Sequence, residues 1–217
     1  MKRLIKDIDD AIKYYPELEK VESDTQLRVK GIIILKHPEI GEYDKYSVSI
    51  SFPKCYPMCF PKVIEEGGKI PRLEDRHVNP DNSLCLAVEP EEKLVCRNGI
   101  SFKYFLDRVL VPHLSRETYR SLAGEYEDGE YSHGIEGLWE YFGHVLNTTG
   151  NENILKELGR MLHEKWLGRN VPCFCGSTIK FKNCHMRSWE RVMLLGHDYL
   201  LSRLEILKND LQSSSNG

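Results

Sequence analysis

The spacing of apolar residues predicts an amphipathic helix followed by an antiparallel sheet at the start of the chain. Apolar side chains recur at helical intervals from about residue 2 to residue 18, with charged side chains on the opposite face. Residues 26–36 are rich in β-branched side chains and 43–52 alternates apolar with polar ones, so both predict strands, with a turn at 38–43. A third short strand is predicted at 62–65, after a proline-rich segment.

The rest of the chain is predicted to be a long loop followed by helices. No periodicity persists between 67 and 98, because Pro, Asn and Asp residues interrupt it. A long ordered loop inside a compact domain is usually functional. Helical spacing then returns, with Ser101 as the predicted N-cap of the first helix. The predicted helices cover 100–114, 135–146, 154–167 and 189–211, before a Ser-rich end that is predicted to be disordered.

Length and composition predict one domain of ordinary size with a small appendage. The chain has 217 residues, of which 41% are hydrophobic and 29% are charged. Apolar runs such as 31–35 are far too short to cross a bilayer, and Lys2, Arg3 and Lys6 leave no apolar secretory signal at the N-terminus. We therefore expect a cytoplasmic protein without a membrane partner.

The charge balance argues against a general affinity for nucleic acid. A formal net charge of -3 gives no attraction to polyanions, so binding would need a local basic patch, for which Lys180 and Lys182 are the best candidates. An RNA- or ribosome-associated factor is therefore the least favoured hypothesis.

Three of the seven cysteines crowd into one short segment that predicts a metal site. A Cys-x-Cys turn and an adjacent Cys-His pair can close a tetrahedral zinc site, and a site filled by four protein ligands is structural. The predicted ligands are Cys173, Cys175, Cys184 and His185. The segment 172–185 resembles the SEC-C motif, which is best known at the C-terminus of the bacterial SecA translocation motor. The expected use of the zinc is docking.

Two segments further upstream share the residues of one family. The stretch 51–63 carries Pro53, Tyr56, Pro57 and Pro61, and the stretch 77–86 carries His77, Asn79 and Cys85. The first resembles the Tyr-Pro signature of ubiquitin-conjugating enzymes, and the second resembles their His-Pro-Asn loop with its active-site cysteine. Both occur in the family's order, after a helix and a strand meander, over roughly residues 1 to 122.

The resemblance implies an α+β ubiquitin-conjugating fold in which Cys85 forms a thioester with the C-terminus of a protein and passes it to a lysine. It implies that Asn79 stabilises an oxyanion or orders the loop, and that His77 holds the loop. Val78 replaces the family's proline and the interval from His77 to Cys85 is short, which suggests a divergent branch. The conjugating component of bacterial antiphage operons is similar, and there the protein carried is a cyclic-nucleotide synthase.

Several assignments stay open at this stage. Asp81, Glu89, Glu91 and Glu92 are all candidates for helping the acceptor lysine lose its proton. A non-catalytic protein-binding module of the same fold, docking through its zinc motif, is the alternative function. The alternative role for Cys85 is that of a small buried hydrophobe, which free cysteines often have, and this packing role is the one expected for Cys55, Cys59 and Cys96.

The predicted organisation has four parts. They are a catalytic domain at 1–122, a helical extension at 123–170, a SEC-C-like zinc motif at 171–187, and a C-terminal helix with its disordered end at 188–217.

Overall fold

The protein is an α+β structure with two compact units. The computed structural model describes residues 2–22, 27–73, 76–126, 131–163 and 168–214. The first unit is drawn from residues 1–87 and 91–130, and the second from 88–90 and 131–217. The finer division into four parts stays a prediction.

A four-stranded antiparallel meander forms one layer of the first unit. Its strands pair in chain order as β1 (Leu18–Glu22), β2 (Leu27–His37), β3 (Gly41–Ser51) and β4 (Lys62–Glu65). Val29 lies opposite Ile50 and Ile33 lies opposite Tyr46, and all four side chains are buried. Because side chains alternate between the two faces of a strand, these cross-strand pairs place one face of the sheet against the core.

Helices supply the rest of the first unit. They are α1 (Lys2–Ile12), α2 (Glu89–Cys96) from Glu91 onwards, α3 (Phe102–Phe105) and α4 (Val111–Ala123), with the π-helical segment Leu106–Leu110 joining α3 to α4. The Ser101 hydroxyl accepts a hydrogen bond from the Tyr104 amide at 3.1 Å, so the predicted N-cap is confirmed. Phe102 and Phe105 are buried in the core of this unit.

The strands at 26–36, 43–52 and 62–65 are confirmed within a few residues, but three predictions about this unit are wrong. The first helix ends at Ile12 rather than near 18, and β1 begins at Leu18 where helix was expected. Pro16 lies between them and cannot donate to a helical hydrogen bond. The helix α2 occupies part of the predicted loop, with Pro90 in its first turn, where a proline is tolerated.

The second unit is helical. Its main elements are α5 (Gly134–Leu146), α6 (Asn151–His163), the short 3-10 turn Phe181–Asn183, α7 (Met186–Met193) and α8 (His197–Ser214). The indole of Trp139 on α5 donates to the Asp210 carboxylate on α8 at 2.8 Å. None of the described helices is both long and apolar enough to cross a membrane.

The closing helix differs from its prediction. The predicted single helix at 189–211 is two helices, because Gly196 between them adopts a left-handed φ of +91°. Ser213 and Ser214 belong to α8 instead of a disordered end, while 215–217 lie outside the described residues. The last residues of the predicted helix at 154–167 also lie outside them.

We predict that Gly31→Ala destabilises the first unit far more than Gly41→Ala. A Cβ at Gly31 would lie 1.9 Å from the backbone oxygen of Glu17, and its φ is +141°. Crowding and backbone strain together should lower the free energy of unfolding by about 3 kcal/mol. Urea unfolding followed by far-UV circular dichroism measures this.

Gly41 is the matched control, because it also has a positive φ, +78°, but meets no atom within 4 Å. Its change to Ala should cost about 1 kcal/mol. Equal losses for the two variants would contradict the close packing of β2 against the segment before β1.

Candidate active site and candidate metal centre

The three residues predicted for catalysis lie on one small hairpin. The His77 carbonyl accepts a hydrogen bond from the Cys85 amide at 2.6 Å, and the Asn79 amide donates to the Ser83 carbonyl at 2.8 Å. Val78 and Leu84 form an antiparallel bridge between these pairs. His77 and Cys85 therefore face each other through their backbones at the open end of the hairpin.

Cys85 is a free, half-buried thiol, with its Sγ 3.9 Å from the Ala87 carbonyl oxygen. The residue before it, Leu84, is buried and donates its amide to the Val63 carbonyl on β4 at 2.8 Å. The nucleophile candidate is thus fixed to the sheet through its neighbour, while its own side chain keeps access to solvent.

Cys96, by contrast, is fully buried, in agreement with its predicted packing role. Burial, and after it the charge of Glu92, raises the pKa of the Cys96 thiol to about 12. A thiol that stays protonated and shielded is a poor nucleophile. Of the two free cysteines that the structure describes in the first unit, Cys85 is the one suited to reaction.

The tip of the hairpin is held by polar side chains. The Asn79 side-chain amide donates to the Ser83 hydroxyl at 3.1 Å, so its observed partner is inside the loop. Asp81 accepts from the Ser83 amide at 3.0 Å and from the Lys62 ammonium at 2.7 Å. The hydrogen bond from Lys62, followed by those from Ser83, holds the pKa of Asp81 well below its usual range. Asp81 is therefore a weak candidate for the base that deprotonates lysine.

Glu92, a second candidate for that base, accepts the Phe60 backbone amide at 2.9 Å. The Glu92 carboxylate therefore already holds the backbone of the segment before β4 by a hydrogen bond. Glu89 is assigned to the second unit, where it accepts from the Arg203 guanidinium at 2.6 Å.

A buried ion pair anchors the start of the hairpin to α4. The Arg76 Nη2 and Nε atoms lie 2.7 and 3.2 Å from Oε2 of Glu117, whose side chain is fully buried. The Tyr126 hydroxyl donates to the other oxygen of the same carboxylate. The ring of Tyr126 packs edge-on against the ring of His77, with centroids 5.7 Å apart. His77 is thus held by its ring and by its backbone.

The Tyr-Pro segment is tied to two helices through one carboxylate. The Tyr56 hydroxyl donates to Oδ2 of Asp7 on α1, and the same oxygen accepts the Phe102 amide at 3.0 Å. Burial, and then the hydrogen bond to Asp7, raises the pKa of Tyr56. The Tyr56 hydroxyl therefore has a structural role, because it fixes the Tyr-Pro segment to α1.

The packing role predicted for Cys55 and Cys59 is wrong. They form a disulfide within this segment, with their Cα atoms 5.6 Å apart. Cys55 is exposed, so the pair is not part of the apolar core. Nothing in the sequence signalled this bond beyond the four-residue separation.

We predict that Glu117→Gln lowers the stability of the first unit by about 3 kcal/mol, because Arg76 would lose its buried charge partner. Glu42→Gln is the matched control, since Glu42 pairs with Lys36 at the surface with both side chains largely exposed. That change should cost under about 0.5 kcal/mol. Urea unfolding followed by far-UV circular dichroism compares them, and similar losses would contradict the anchoring role of Glu117.

The four predicted metal ligands converge in the second unit. Their ligand atoms all lie within 4.8 Å of one another. The Cys175 and Cys184 sulfurs are 3.6 Å apart, and Nδ1 of His185 lies 3.1 Å from Cys184 Sγ and 3.3 Å from Cys173 Sγ. In a tetrahedral zinc site with Zn–S bonds of about 2.3 Å the sulfurs lie about 3.8 Å apart. The donor set and its spacing fit a structural metal site.

The backbone of the knuckle is built for this convergence. Pro172 pairs with Lys180 in an antiparallel bridge, and the Cys173 amide donates to the Ile179 carbonyl at 2.8 Å. Gly176 makes the turn after the first two ligands with a φ of +84°, which a residue with a Cβ rarely adopts. The sequence between Cys175 and Cys184 thus folds back so that both ends reach one point.

A second layer of contacts orients the ligands. The Nε2 atom of His185 donates to the carbonyl oxygen of Leu146, the last residue of α5, at 2.9 Å, which leaves Nδ1 for the metal. Phe174, between the first two cysteines, packs against the rings of Phe181 and Trp189 with centroids 6.0 and 5.7 Å away. The knuckle is therefore attached to α5 and α7 by polar and aromatic contacts.

The thiols differ in their readiness to ionise. Burial raises the pKa of the Cys173 thiol to about 11. Burial also acts on Cys175, but hydrogen bonds from Ser177 and then from the neighbouring thiols outweigh it and lower the pKa of Cys175 to about 6. Metal binding requires thiolates, so an ion bound here would displace the protons of these thiols.

The comparison with known families agrees with this geometry. Three thiols and an imidazole closing on one point define a cysteine-rich metal knuckle. Residues 169–187 match the SEC-C motif, a span that includes all four ligands. No curated protein matches the chain at a significant level.

We predict about one metal ion per chain, since the four ligands close one tetrahedral site. Metal analysis of protein purified without chelator checks this, and the ion should be lost in Cys173→Ala but kept in Cys96→Ala. Trp139 and Trp189 lie in the second unit, so the loss of metal from Cys173→Ala should change the tryptophan fluorescence. The far-UV signal from the sheet of the first unit should stay intact. Protein free of metal in both variants and in the wild type would refute the site.

Proposed function

We propose that the chain is a ubiquitin-conjugating-like transferase that carries a protein C-terminus as a thioester on Cys85 and passes it to a lysine. The observation that carries the proposal is the half-buried free thiol of Cys85 at the end of a hairpin whose backbone is fixed to β4 and, through Arg76, to α4. A nucleophile on a rigid loop at the edge of a sheet has both access and a defined position.

The order of elements supports the family assignment. An N-terminal helix, the first three strands of an antiparallel meander, the Tyr-Pro segment, the fourth strand, the cysteine hairpin and then helices follow one another along the chain, an order that agrees with the resemblance to ubiquitin-conjugating enzymes. We therefore assign the first unit to a ubiquitin-conjugating fold as part of this proposal.

The chemistry would proceed in two steps. The Cys85 thiolate attacks the activated carboxyl carbon of the carried protein, a C–S bond forms and the activating group leaves. A lysine amine then attacks the thioester carbon, loses a proton to a base, and expels the Cys85 thiolate as the amide forms. A thioester suits this exchange because a thiolate is a good leaving group towards an amine.

Asn79 and His77 act on the position of Cys85. The Asn79 amide donates to Ser83 across the hairpin, which favours the loop-ordering role over a direct contact with the oxyanion. The His77 carbonyl accepts the Cys85 amide, and its ring is braced by Tyr126. Both are positioning residues in this proposal.

The knuckle would hold zinc through Cys173, Cys175, Cys184 and His185, because soft thiolates with one imidazole suit that ion. The ion would tie together a short segment that has few apolar residues of its own, and it has no part in the acyl transfer. We propose that this segment docks a protein partner.

The carried protein is proposed to be a cyclic-nucleotide synthase acting in bacterial antiphage defence, in the cytoplasm. This rests on the resemblance of the His77–Cys85 loop to the conjugating components of such operons.

The decisive test is a covalent adduct on Cys85. Protein produced together with the genes that neighbour it naturally should carry a partner that hydroxylamine releases, because hydroxylamine cleaves thioesters and leaves disulfides intact. Cys85→Ser should yield a link that resists hydroxylamine under mild conditions, since an oxyester reacts more slowly. Intact-protein mass spectrometry measures the adduct and identifies the partner.

Cys85→Ala should abolish the adduct, while Cys96→Ala should keep it, because Cys96 is fully buried. Circular dichroism confirms that both variants are folded. A partner that is captured non-covalently by Cys85→Ala and wild type alike, with no adduct in either, would favour the alternative of a non-catalytic binding module.

A further inference from the structure

A polar cleft lies along α6 in the second unit, beside the metal knuckle. It has a volume of about 320 Å³, at the small end of ligand sites. Lys156 and Arg160 line it together with Glu157, and Cys175 and His185 form part of its wall. Since Lys156 and Arg160 are four residues apart on one helix, their charges lie on the same face.

Glu157 sets this cleft apart from an ordinary charged surface. The residue is only 8% exposed, and its Oε2 atom is buried without a hydrogen-bond partner among the described residues. Its other oxygen lies 3.9 Å from the Arg160 guanidinium, which is too long for a hydrogen bond. A buried carboxylate oxygen without a donor is unfavourable, so a donor from a ligand would stabilise it.

The cations beside it limit what that ligand can be. A simple cation would be repelled by Lys156 and Arg160, and a simple anion would leave Glu157 without a donor. The ligand should therefore present an anionic group and, close to it, an N–H or O–H group. Arg160 already donates to the Phe174 carbonyl at 2.7 Å, and its guanidinium has further N–H groups for an anion.

The lining also limits the rest of the ligand. The described residues that line the cleft include no Phe, Tyr, Trp or aliphatic side chain, and their one aromatic ring, that of His185, lies against the ligand thiols; the lining therefore favours neither a nucleobase nor a large apolar group. Asn147 and Asn153 at its edge offer amides to a polar backbone.

We propose that this cleft binds the carboxyl-terminal residue of a peptide with a small side chain. Lys156 and Arg160 bind the terminal carboxylate, and Glu157 accepts the N–H of the same residue. This does not rest on the chemistry of Cys85, and the Cys85→Ala variant should bind such a peptide with unchanged affinity.

The test compares two probes on the full chain purified with its metal. N-acetyl-Gly-Gly with a free carboxylate should bind, and the same peptide with a C-terminal amide should bind at least about tenfold more weakly, because charge-assisted hydrogen bonds are lost. Ligand-observed NMR titration measures both. Equal binding of the two peptides, or no binding of the free acid, would overturn the proposal.

Two variants separate a peptide terminus from a general anion site. Lys156→Gln should weaken the free acid about tenfold, whereas Lys208→Gln, an exposed lysine on α8, should leave it unchanged. Glu157→Gln should also weaken the free acid, because its charged acceptor becomes neutral. If Glu157→Gln instead strengthens binding, and inorganic phosphate binds as well as the peptide, the cleft is a general anion site and the proposal is wrong.

Discussion

The carboxylate of Glu117 in the first unit is fully shielded from water, and such a group needs hydrogen-bond donors on its oxygens. Arg76 supplies one side and Tyr126 the other. Arg76 directly precedes the hairpin and Tyr126 follows α4. The hydrogen bonds that satisfy the buried charge of Glu117 therefore also fix where the hairpin begins. The position of Cys85 follows from this, because its amide is bonded to the residue next to Arg76. The buried ion pair and the packing of Leu84 against the sheet thus fix the hairpin together.

The second unit meets a similar requirement by different means. The segment 168–185 has only a few buried side chains, such as Cys173 and Phe181, and too little apolar surface to fold by burial alone. Its order depends on the convergence of the four ligands, on the hydrogen bond from His185 to the end of α5, and on the aromatic contacts of Phe174. Both units therefore depend on polar groups that must be satisfied together.

Features set by neighbouring residues could be predicted from the sequence, and features set by distant ones could not. A run of β-branched residues predicted β2, apolar and polar alternation predicted β3, the Ser101 cap predicted the start of α3, and ligand spacing predicted the metal knuckle. The helix α2 was missed because its sequence lacks a clear apolar stripe. The Arg76–Glu117 pair joins residues 41 positions apart, and no local pattern signals which of many charges will meet. The hairpin geometry around Cys85 depends on that pair, so it too needed the structure.

The carboxylate of Asp7 has a consequence for the order of events during synthesis. Its hydrogen bonds reach Tyr56 and Phe102, which are 49 and 95 positions further along the chain. The helix α1 is made before both partners, and the second partner, Phe102, arrives only after most of the first unit has been translated. Contacts of such long sequence separation form late and slow the folding rate. The carboxylate of Asp7 on α1 therefore lacks one of its two donors until Phe102 is made, a period in which a chaperone has the most to offer.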